Sequence, residues 1–183
     1  MQICLGVPSP PVADESRFAT LILNTVLGGG MSSRLFQTIR EERGMAYSVY
    51  SDITPYRDTG TLCVFAGTSA GKALECIDLI MAEFTKLKQE PLSEEELTRA
   101  KDQLKGNILM GLESSNSRMA NLARQEIYFG HFFTSDEIIA RVEGVQAEQV
   151  QRMAQQLFDP ERIAVTLLGR LDGIKLNRSG LVC

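Results

Sequence analysis

Residues 27–50 read Leu-Gly-Gly-Gly-Met-Ser-Ser-Arg-Leu-Phe-Gln-Thr-Ile-Arg-Glu-Glu-Arg-Gly-Met-Ala-Tyr-Ser-Val-Tyr. Three glycines follow an apolar run with helical spacing, and a short amphipathic segment comes next. Gly44 then precedes alternating residues of the kind found in strands. Because glycine adopts the left-handed backbone without steric cost, it commonly ends helices. The passage therefore predicts a helix, a turn, a second short helix and the start of a strand.

The helix before the glycines has one apolar face. Its apolar side chains recur at helical spacing from Phe18 to Val26. We expect this helix to open at Asp14 and to end at Gly28, which would form a left-handed C-cap. Ser32 stands where it would cap the short second helix.

Strands are predicted on both sides of this helical passage. Alternating residues predict a strand over residues 3–7, which Pro8, Pro10 and Pro11 are expected to end because proline lacks the donor for a sheet ladder. Residues 45–53 and 61–67 predict an antiparallel hairpin. Four side chains of its first strand are expected to share one face: Met45, Tyr47, Val49 and Ile53.

The second half of the chain is predicted to be mostly helical. Helical spacing is found over residues 70–89, 93–113, 117–129, 134–142 and 150–157. Ser93 with Glu96 and Thr134 with Glu137 have the spacing of capping boxes, which mark two of the helix starts. Residues 162–169 predict a last strand, with apolar residues on both faces as in a central strand.

These elements predict an α+β fold, with a largely antiparallel sheet and helices packed on one face. We expect one domain over residues 1–171 and a polar, frayed tail over residues 172–183. The chain begins directly beside its first strand, as expected of a domain excised from a longer protein or of a half-length chain.

Composition argues against several classes of function. The 183 residues have a formal net charge of −4 and a pI of about 5.1, so nucleic acid is not an expected partner. Apolar runs fall far short of the roughly 20 residues that span a bilayer, so no membrane partner is expected either. Cys4, Cys63, Cys76 and Cys183 lack metal-binding spacing and are expected to be buried, unpaired thiols. With no secretion signal recognised, we expect a cytoplasmic location.

No cofactor or metal site is predicted within this chain. Residues 67–72 look like a phosphate-binding loop, but three residues separate the glycines where that loop needs four. The three glycines at 28–30 lack the spacing of a dinucleotide-binding turn. His131 is the only histidine, and one imidazole without a nearby cysteine pair is not a zinc site or a catalytic triad.

Arg40 and Tyr47 are the candidate site residues. Arg40 stands near the end of the short helix and Tyr47 early in the strand, where their side chains could converge on one cleft. Each also has a plainer interpretation. Arg40 could pair on the helix surface with Glu41 or Glu42, and Tyr47 could be an aromatic residue of the core face of the sheet.

The segment from Leu27 to Val49 resembles the signature region of the pitrilysin and insulin-degrading zinc metallopeptidase family, which includes mitochondrial processing peptidase. The context Ile-Arg-Glu-x-Arg-Gly-x-Ala-Tyr around Arg40 and Tyr47 carries the likeness. The order of elements up to Arg170 is similar to the C-terminal half-domain of that family. The resemblance therefore extends over nearly the whole chain.

This resemblance implies a division of labour between two halves. The family's N-terminal half carries the zinc motif H-x-x-E-H, which this sequence lacks. Zinc is therefore expected in a zinc-bearing N-terminal half, on the same full-length chain or on a partner subunit. Arg40 and Tyr47 would bind the backbone of a peptide substrate and help to stabilise the tetrahedral intermediate. The isolated chain would be inactive.

Two other arrangements stay open at this point. Some members of the family are structural subunits of larger complexes and cleave nothing, so the chain could be an inactive subunit of that kind. The resemblance also allows a homodimer. The retained arginine and tyrosine favour the peptidase hypothesis.

Overall fold

The computed structural model of the protein describes residues 1–171, 174 and 176–183. The strands are β1 (Gln2–Ser9), β2 (Ala46–Pro55), β3 (Gly60–Thr68) and β4 (Ala164–Leu168). The α-helices are α1 (Arg17–Gly28), α2 (Ala73–Gln89), α3 (Glu94–Gly111), α4 (Ser115–Phe129), α5 (Ser135–Glu143) and α6 (Ala147–Leu157). A π-helix spans Phe36–Glu42, and 3₁₀ turns span Ala70–Lys72 and Arg178–Gly180.

The four strands form one antiparallel sheet in the order β2-β3-β1-β4. Ile3, Leu5 and Val7 of β1 are buried on the face that packs against the helices. Cys4 and Gly6 point to the other face, where they are half-buried. This arrangement confirms the predicted α+β fold, the hairpin of β2 and β3, and the packing of helices on one face.

The helical side of the core comes mainly from α1, α2 and α6. Ile22 of α1 and Ile77 of α2 have no exposed surface. Phe84 of α2 stacks on Phe158, just after α6, with ring centroids 3.9 Å apart. Burying a side chain of this size contributes roughly 1.5–3 kcal/mol each. These contacts hold the helical layer to the sheet.

The glycine turn, residues 28–30, is a place of close packing. Gly28 is the last residue of α1, and Gly29 at the C-cap has φ −80°, so the predicted left-handed cap at Gly28 is wrong. A Cβ on Gly28 would lie 2.3 Å from the backbone nitrogen of Ser51 in β2. A Cβ on Gly29 would lie 2.6 Å from the Cα of Thr25. Gly28 is needed because β2 crosses the end of α1 with no room for a side chain, and Gly29 because its backbone lies against the last turn of α1.

The two predicted helix starts flanking the glycine turn also differ. Asp14 lies before α1, and its carboxylate accepts hydrogen bonds from the Ser16 backbone N–H (2.8 Å) and hydroxyl (2.7 Å). These bonds stabilise a turn, and the helix begins at Arg17. The Ser32 hydroxyl contacts Oε1 of Gln103 at 3.5 Å and does not cap the following helix.

One of the two predicted capping boxes is complete. Thr134 accepts from the Glu137 backbone N–H, and the Glu137 carboxylate accepts from the Thr134 N–H in return. Ser93 accepts from the Glu96 N–H at 3.2 Å. The Glu96 carboxylate turns away and binds Arg34, so this second box is only half formed.

The end of the chain departs from prediction. β4 pairs with β1 and forms an edge of the sheet within the described residues, so its interpretation as a central strand is wrong. The described part of residues 172–183 is not frayed as predicted. Leu181 is buried, and the Lys88 ammonium donates to the carbonyls of both Phe158 and Cys183. Apolar residues near the terminus pack on the core, and this packing overcomes the tendency to fray. Residues 172, 173 and 175 lie outside the described residues.

Candidate functional site

Arg40 lies in the π-helix between α1 and β2. The Met45 backbone N–H donates to the Ile39 carbonyl at 2.9 Å, and the Gly44 N–H donates to the Arg40 carbonyl at 3.1 Å. Gly44 has the left-handed φ of 56°, as the sequence predicts for the end of this helix. Ile39 is fully buried, while its neighbour Arg40 points to solvent. Such wide helical turns are rare and often occur at functional sites.

The guanidinium of Arg40 rests on the ring of Phe36. Its Cζ lies 4.8 Å from the ring centroid, which is cation–π range. Arg40 Nε is 3.9 Å from Oε1 of Glu41, and an exposed ion pair this long contributes little stability. Phe36 is a residue of the site that the sequence analysis did not single out. Its signal is an aromatic side chain four residues before an arginine on a helix.

Tyr47 lies at a β-bulge. Residues 46–48 of β2 face only residues 67–68 of β3, so Tyr47 has no partner of its own in the register. Its side chain is 88% exposed, whereas Ala46 and Val49 are buried. The prediction that Tyr47 shares the core face of its strand is therefore wrong, and so is its interpretation as a core aromatic. The extra residue of the bulge turns the phenol outward.

A cavity of about 350 Å³ opens between the glycine turn and β2. It is lined by Gly28, Gly29, Gly30, Met31, Phe36, Val49, Tyr50 and Ser51. The ring of Phe36 also carries the Arg40 guanidinium, so Arg40 lies beside this cavity. Tyr47 is not part of the lining. The convergence of Arg40 and Tyr47 on one cleft stays a prediction.

The glycine turn and the start of the π-helical segment are clamped to α3. Nε and Nη2 of Arg34 donate to the two carboxylate oxygens of Glu96 at 2.8 and 2.7 Å. This hydrogen bonding is the main reason that the pKa of Arg34 is raised, against the opposing effect of burial. The amide of Gln103 donates to the Gly29 carbonyl at 2.9 Å. The backbone that carries Arg40 is therefore held in place from the α3 side.

The described residues do not fit a zinc ion. No three His, Cys, Asp or Glu side chains among them are grouped so as to hold a metal. Nδ1 of His131 lies 3.1 Å from the Phe129 carbonyl, and its ring packs edge-on against Phe133. Across the same residues, every helix is too short or too polar to cross a membrane.

Comparison with known proteins gives a family match. The sequence model of the family described as "Peptidase M16 inactive domain" matches residues 1–104. "Uncharacterized zinc protease YmxG" of Bacillus subtilis is 40% identical over 156 residues, which cover 85% of this chain and 38% of that protein. "Uncharacterized zinc protease ML0855" of Mycobacterium leprae is 39% identical over 167 residues, which cover 91% of this chain and 37% of that protein. The chain thus spans well under half the length of these curated relatives.

Solved structures share the fold. A protease from Helicobacter pylori matches with a TM-score of 0.78 and 22% identity, over 90% of this chain and 40% of that one. A peptidase M16 inactive domain from Pseudomonas fluorescens matches with a TM-score of 0.77 and 23% identity, over 90% of this chain and 40% of that one. A chain of complex III2 from Candida albicans matches with a TM-score of 0.87 and 16% identity, over 100% of this chain and 46% of that one.

The family match includes the part of the chain that the resemblance singled out. Residues 1–104 contain β1, the glycine turn, the π-helix with Arg40, and the bulge at Tyr47. They make up more than half of the 183 residues. This chain therefore belongs to the peptidase M16 family, as its inactive domain.

Proposed function

We propose that this chain is the non-zinc half of a zinc-dependent peptidase, in which Arg40 and Tyr47 bind the substrate backbone and stabilise the transition state. The zinc-bearing half is a separate segment, on the same full-length chain or on a partner subunit. Two observations support a second half. The chain covers 38% and 37% of two relatives named zinc proteases, and its described residues form no metal-ligand cluster.

The exposure of Tyr47 is the observation that carries the proposal. Aromatic residues in strands usually pack against the core, and Ala46 and Val49, on either side of Tyr47, are buried there. Tyr47 has no such packing, and no described residue makes a hydrogen bond with its hydroxyl. Bulges often re-aim a side chain next to an active site. A large, exposed phenol with a free donor is suited to binding a ligand.

The chemistry of the two side chains fits peptide hydrolysis. The planar guanidinium of Arg40, supported on one face by Phe36, presents fixed donors to a peptide carbonyl. The Tyr47 hydroxyl donates to a carbonyl oxygen that becomes more negative during attack, and one such donor contributes about 2.7–4 kcal/mol to lowering the barrier. A zinc ion in the other half would supply the activated water.

The test uses the full-length protein that contains this chain, or the chain together with its zinc-bearing partner. Tyr47→Phe removes one hydroxyl and keeps the ring. We expect kcat to fall on the order of 10²–10³-fold, because the lost donor acts mainly in the transition state. Arg40→Lys keeps the charge and loses the planar fork, so we expect a higher KM in the same assay. Zinc content and thermal stability are measured alongside.

Tyr56→Phe is the matched control. Tyr56 is 51% exposed in the loop after β2, so its variant removes the same atom from another exposed tyrosine. We expect its kcat to stay within about threefold of the parent, well inside the loss expected for Tyr47→Phe. A Tyr47→Phe variant with equally unchanged kcat would remove Tyr47 from the site.

An inactive structural subunit is the second candidate. The contact between Arg40 and Glu41 favours it, because a helix-surface arginine with no catalytic role makes the same kind of contact. In that case the full-length protein would hydrolyse no peptide in the presence of zinc. Its Tyr47→Phe variant would also assemble and melt like the parent.

A further inference from the structure

Two cysteines are neighbours on the face of the sheet that the helices leave open. Cys4 lies in β1 and Cys63 in β3, the two central strands. The register pairs Cys4 with Phe65 and Gly6 with Cys63. Since residues two apart on a strand share a face, Cys4 and Cys63 are diagonal neighbours across the ladder. Both thiols are free and half-buried.

Gly6 leaves the space into which the Cys63 sulfur leans. A Cβ placed on Gly6 would lie 3.4 Å from Cys63 Sγ, with no other atom within 4 Å. The Cys63 sulfur therefore lies over Gly6 of β1, two residues from Cys4 in the same strand. The Cys4 and Cys63 thiols interact: burial raises the pKa of Cys4 most, and the charge and hydrogen bond of Cys63 raise it further.

The other two cysteines have different surroundings. Cys76 is fully buried in α2, where burial raises its pKa to about 11. The Cys183 thiol donates to the Phe158 carbonyl at 3.1 Å and lies beside the Lys88 ammonium. Within the described residues, neither thiol has a second cysteine as a partner. The arrangement at Cys4 is therefore a feature of one specific pair.

We propose that Cys4 and Cys63 form a reversible intramolecular disulfide when the chain meets a low-molecular-weight disulfide such as oxidised glutathione. One cysteine, as its thiolate, attacks the reagent and releases one thiol, which leaves a mixed disulfide on the protein. The second cysteine then attacks the protein sulfur of that mixed disulfide and releases the second thiol. Two protein thiols are oxidised to one disulfide, and the reagent is reduced to two thiols.

The pair closes only with a small local shift, and this makes the disulfide reversible. A disulfide needs Cβ atoms roughly 3.5–4.5 Å apart, closer than diagonal neighbours in a sheet usually lie. Closing the bond therefore requires Cys63 to shift across Gly6, where no side chain resists. A disulfide that stays somewhat strained is more easily reduced than a structural one. The pair is therefore suited to form a reversible disulfide between the two central strands.

A row of side chains connects the Cys4–Cys63 pair to the candidate site. Phe65 is paired with Cys4 on one side and with Tyr50 on the other, and the Tyr50 and Phe65 rings stack with centroids 5.1 Å apart. Tyr50 follows the bulge at Tyr47 by three residues in β2 and lines the cavity beside Arg40. One row of side chains therefore joins the thiol pair to the cavity.

The proposal is tested on the purified 183-residue chain, without reference to any peptidase activity. The chain is treated with oxidised glutathione, alkylated without reduction and digested with trypsin. We expect most of the protein to lose two hydrogen atoms in mass. Tryptic peptides 1–17 and 58–72, which carry Cys4 and Cys63, are expected to appear as one cross-linked species that dithiothreitol separates.

Two variants sharpen this test. Cys183→Ser leaves the pair intact, so we expect the same cross-link in the same yield. Gly6→Val fills the space over which the Cys63 sulfur leans and keeps both thiols, so we expect cross-linking to slow severalfold. Valine suits a strand, and circular dichroism checks that this variant folds.

Three outcomes would overturn the proposal. The first is that the thiols stay free at oxidant levels that oxidise a small dithiol. The second is that Cys4 and Cys63 stop at separate mixed disulfides with glutathione. The third is that either cysteine is linked instead to Cys183 or to another copy of the chain. Each outcome is read directly on the unmutated protein.

Discussion

The site region, residues 27–50, and the α3–α4 segment, residues 105–129, are built in opposite ways. The site region has irregular backbone, with a tight glycine turn, a π-helix and a bulge, yet it packs closely against β2 and α3. The α3–α4 segment is regular helix apart from residues 112–114, yet Gln125 is the one buried residue of α4. Met119 and Ile127 of that helix are 65% and 75% exposed.

This difference shows that regular secondary structure does not mark the core of this domain. The match to the family model ends at residue 104, and Leu104 is the last buried residue of α3. The matched part contains β1, β2, β3, α1 and α2, while β4 and α6, which complete the sheet and its helical cover, lie outside it. Beyond residue 104, five large apolar side chains of the α3–α4 segment are exposed, while Ile108 packs against the core; the exposed ones are Leu109, Met110, Met119, Leu122 and Ile127.

The largest expected effect contrasts two glycines. Gly28→Ala should destabilise the fold by about 3 kcal/mol, because its Cβ would lie 2.3 Å from the Ser51 nitrogen and backbone would have to move. Gly106→Ala in α3 should stabilise by roughly 0.5–1 kcal/mol, since the nearest atom is Met110 Cε at 4.0 Å and alanine favours helix. Urea unfolding measures both. Effects of the same sign would end the contrast between close-packed and open backbone.

Local signals predicted the regular parts of this fold well. The glycine that ends the short helix at Gly44 and the capping box at Thr134 are as expected, because each depends on residues within one turn. Gly28 was misinterpreted because its glycine is required by Ser51, 23 positions away in the chain. Contacts of that kind leave no local trace in the sequence.

The candidate site was predicted by residue type and not by geometry. The resemblance identified Arg40 and Tyr47, but period-2 alternation placed Tyr47 on the core face. A bulge shifts the alternation by one residue, and the register with β3 that creates it is a tertiary feature. Phe36 was missed as a support for Arg40 because an apolar residue on a helix is first assigned to the core.

An intermediate effect is expected where the site region is tied to α3. Glu96→Gln removes the negative charge that accepts two hydrogen bonds from Arg34. The side chains of Glu96 and Arg34 are 18% and 22% exposed. We expect a loss of roughly 2 kcal/mol in the free energy of unfolding, the range for hydrogen bonds to charged groups. Thermal or urea unfolding measures it.

Glu95→Gln is the control for that variant. Glu95 is in the same first turn of α3, so both variants lose the same favourable interaction with the helix dipole. The Glu95 side chain is 91% exposed, and its contact with Arg99 at 3.9 Å contributes little. Equal losses in the two variants would mean that the dipole, and not the clamp on Arg34, is responsible.

The smallest effect is expected in the α3–α4 segment. The double variant Met119→Gln, Ile127→Gln should change the free energy of unfolding by less than about 0.5 kcal/mol, because both side chains are exposed and give up little buried surface. Ile77→Gln makes the same kind of change at a fully buried position of α2 and should cost several times more.

Unfolding is followed at two protein concentrations. If the chain associated with itself through this face, the double variant would lose stability mainly at the higher concentration. A concentration-independent loss above about 1 kcal/mol would instead mean that the α3–α4 segment packs against the rest of the chain, and the contrast with the site region would fail.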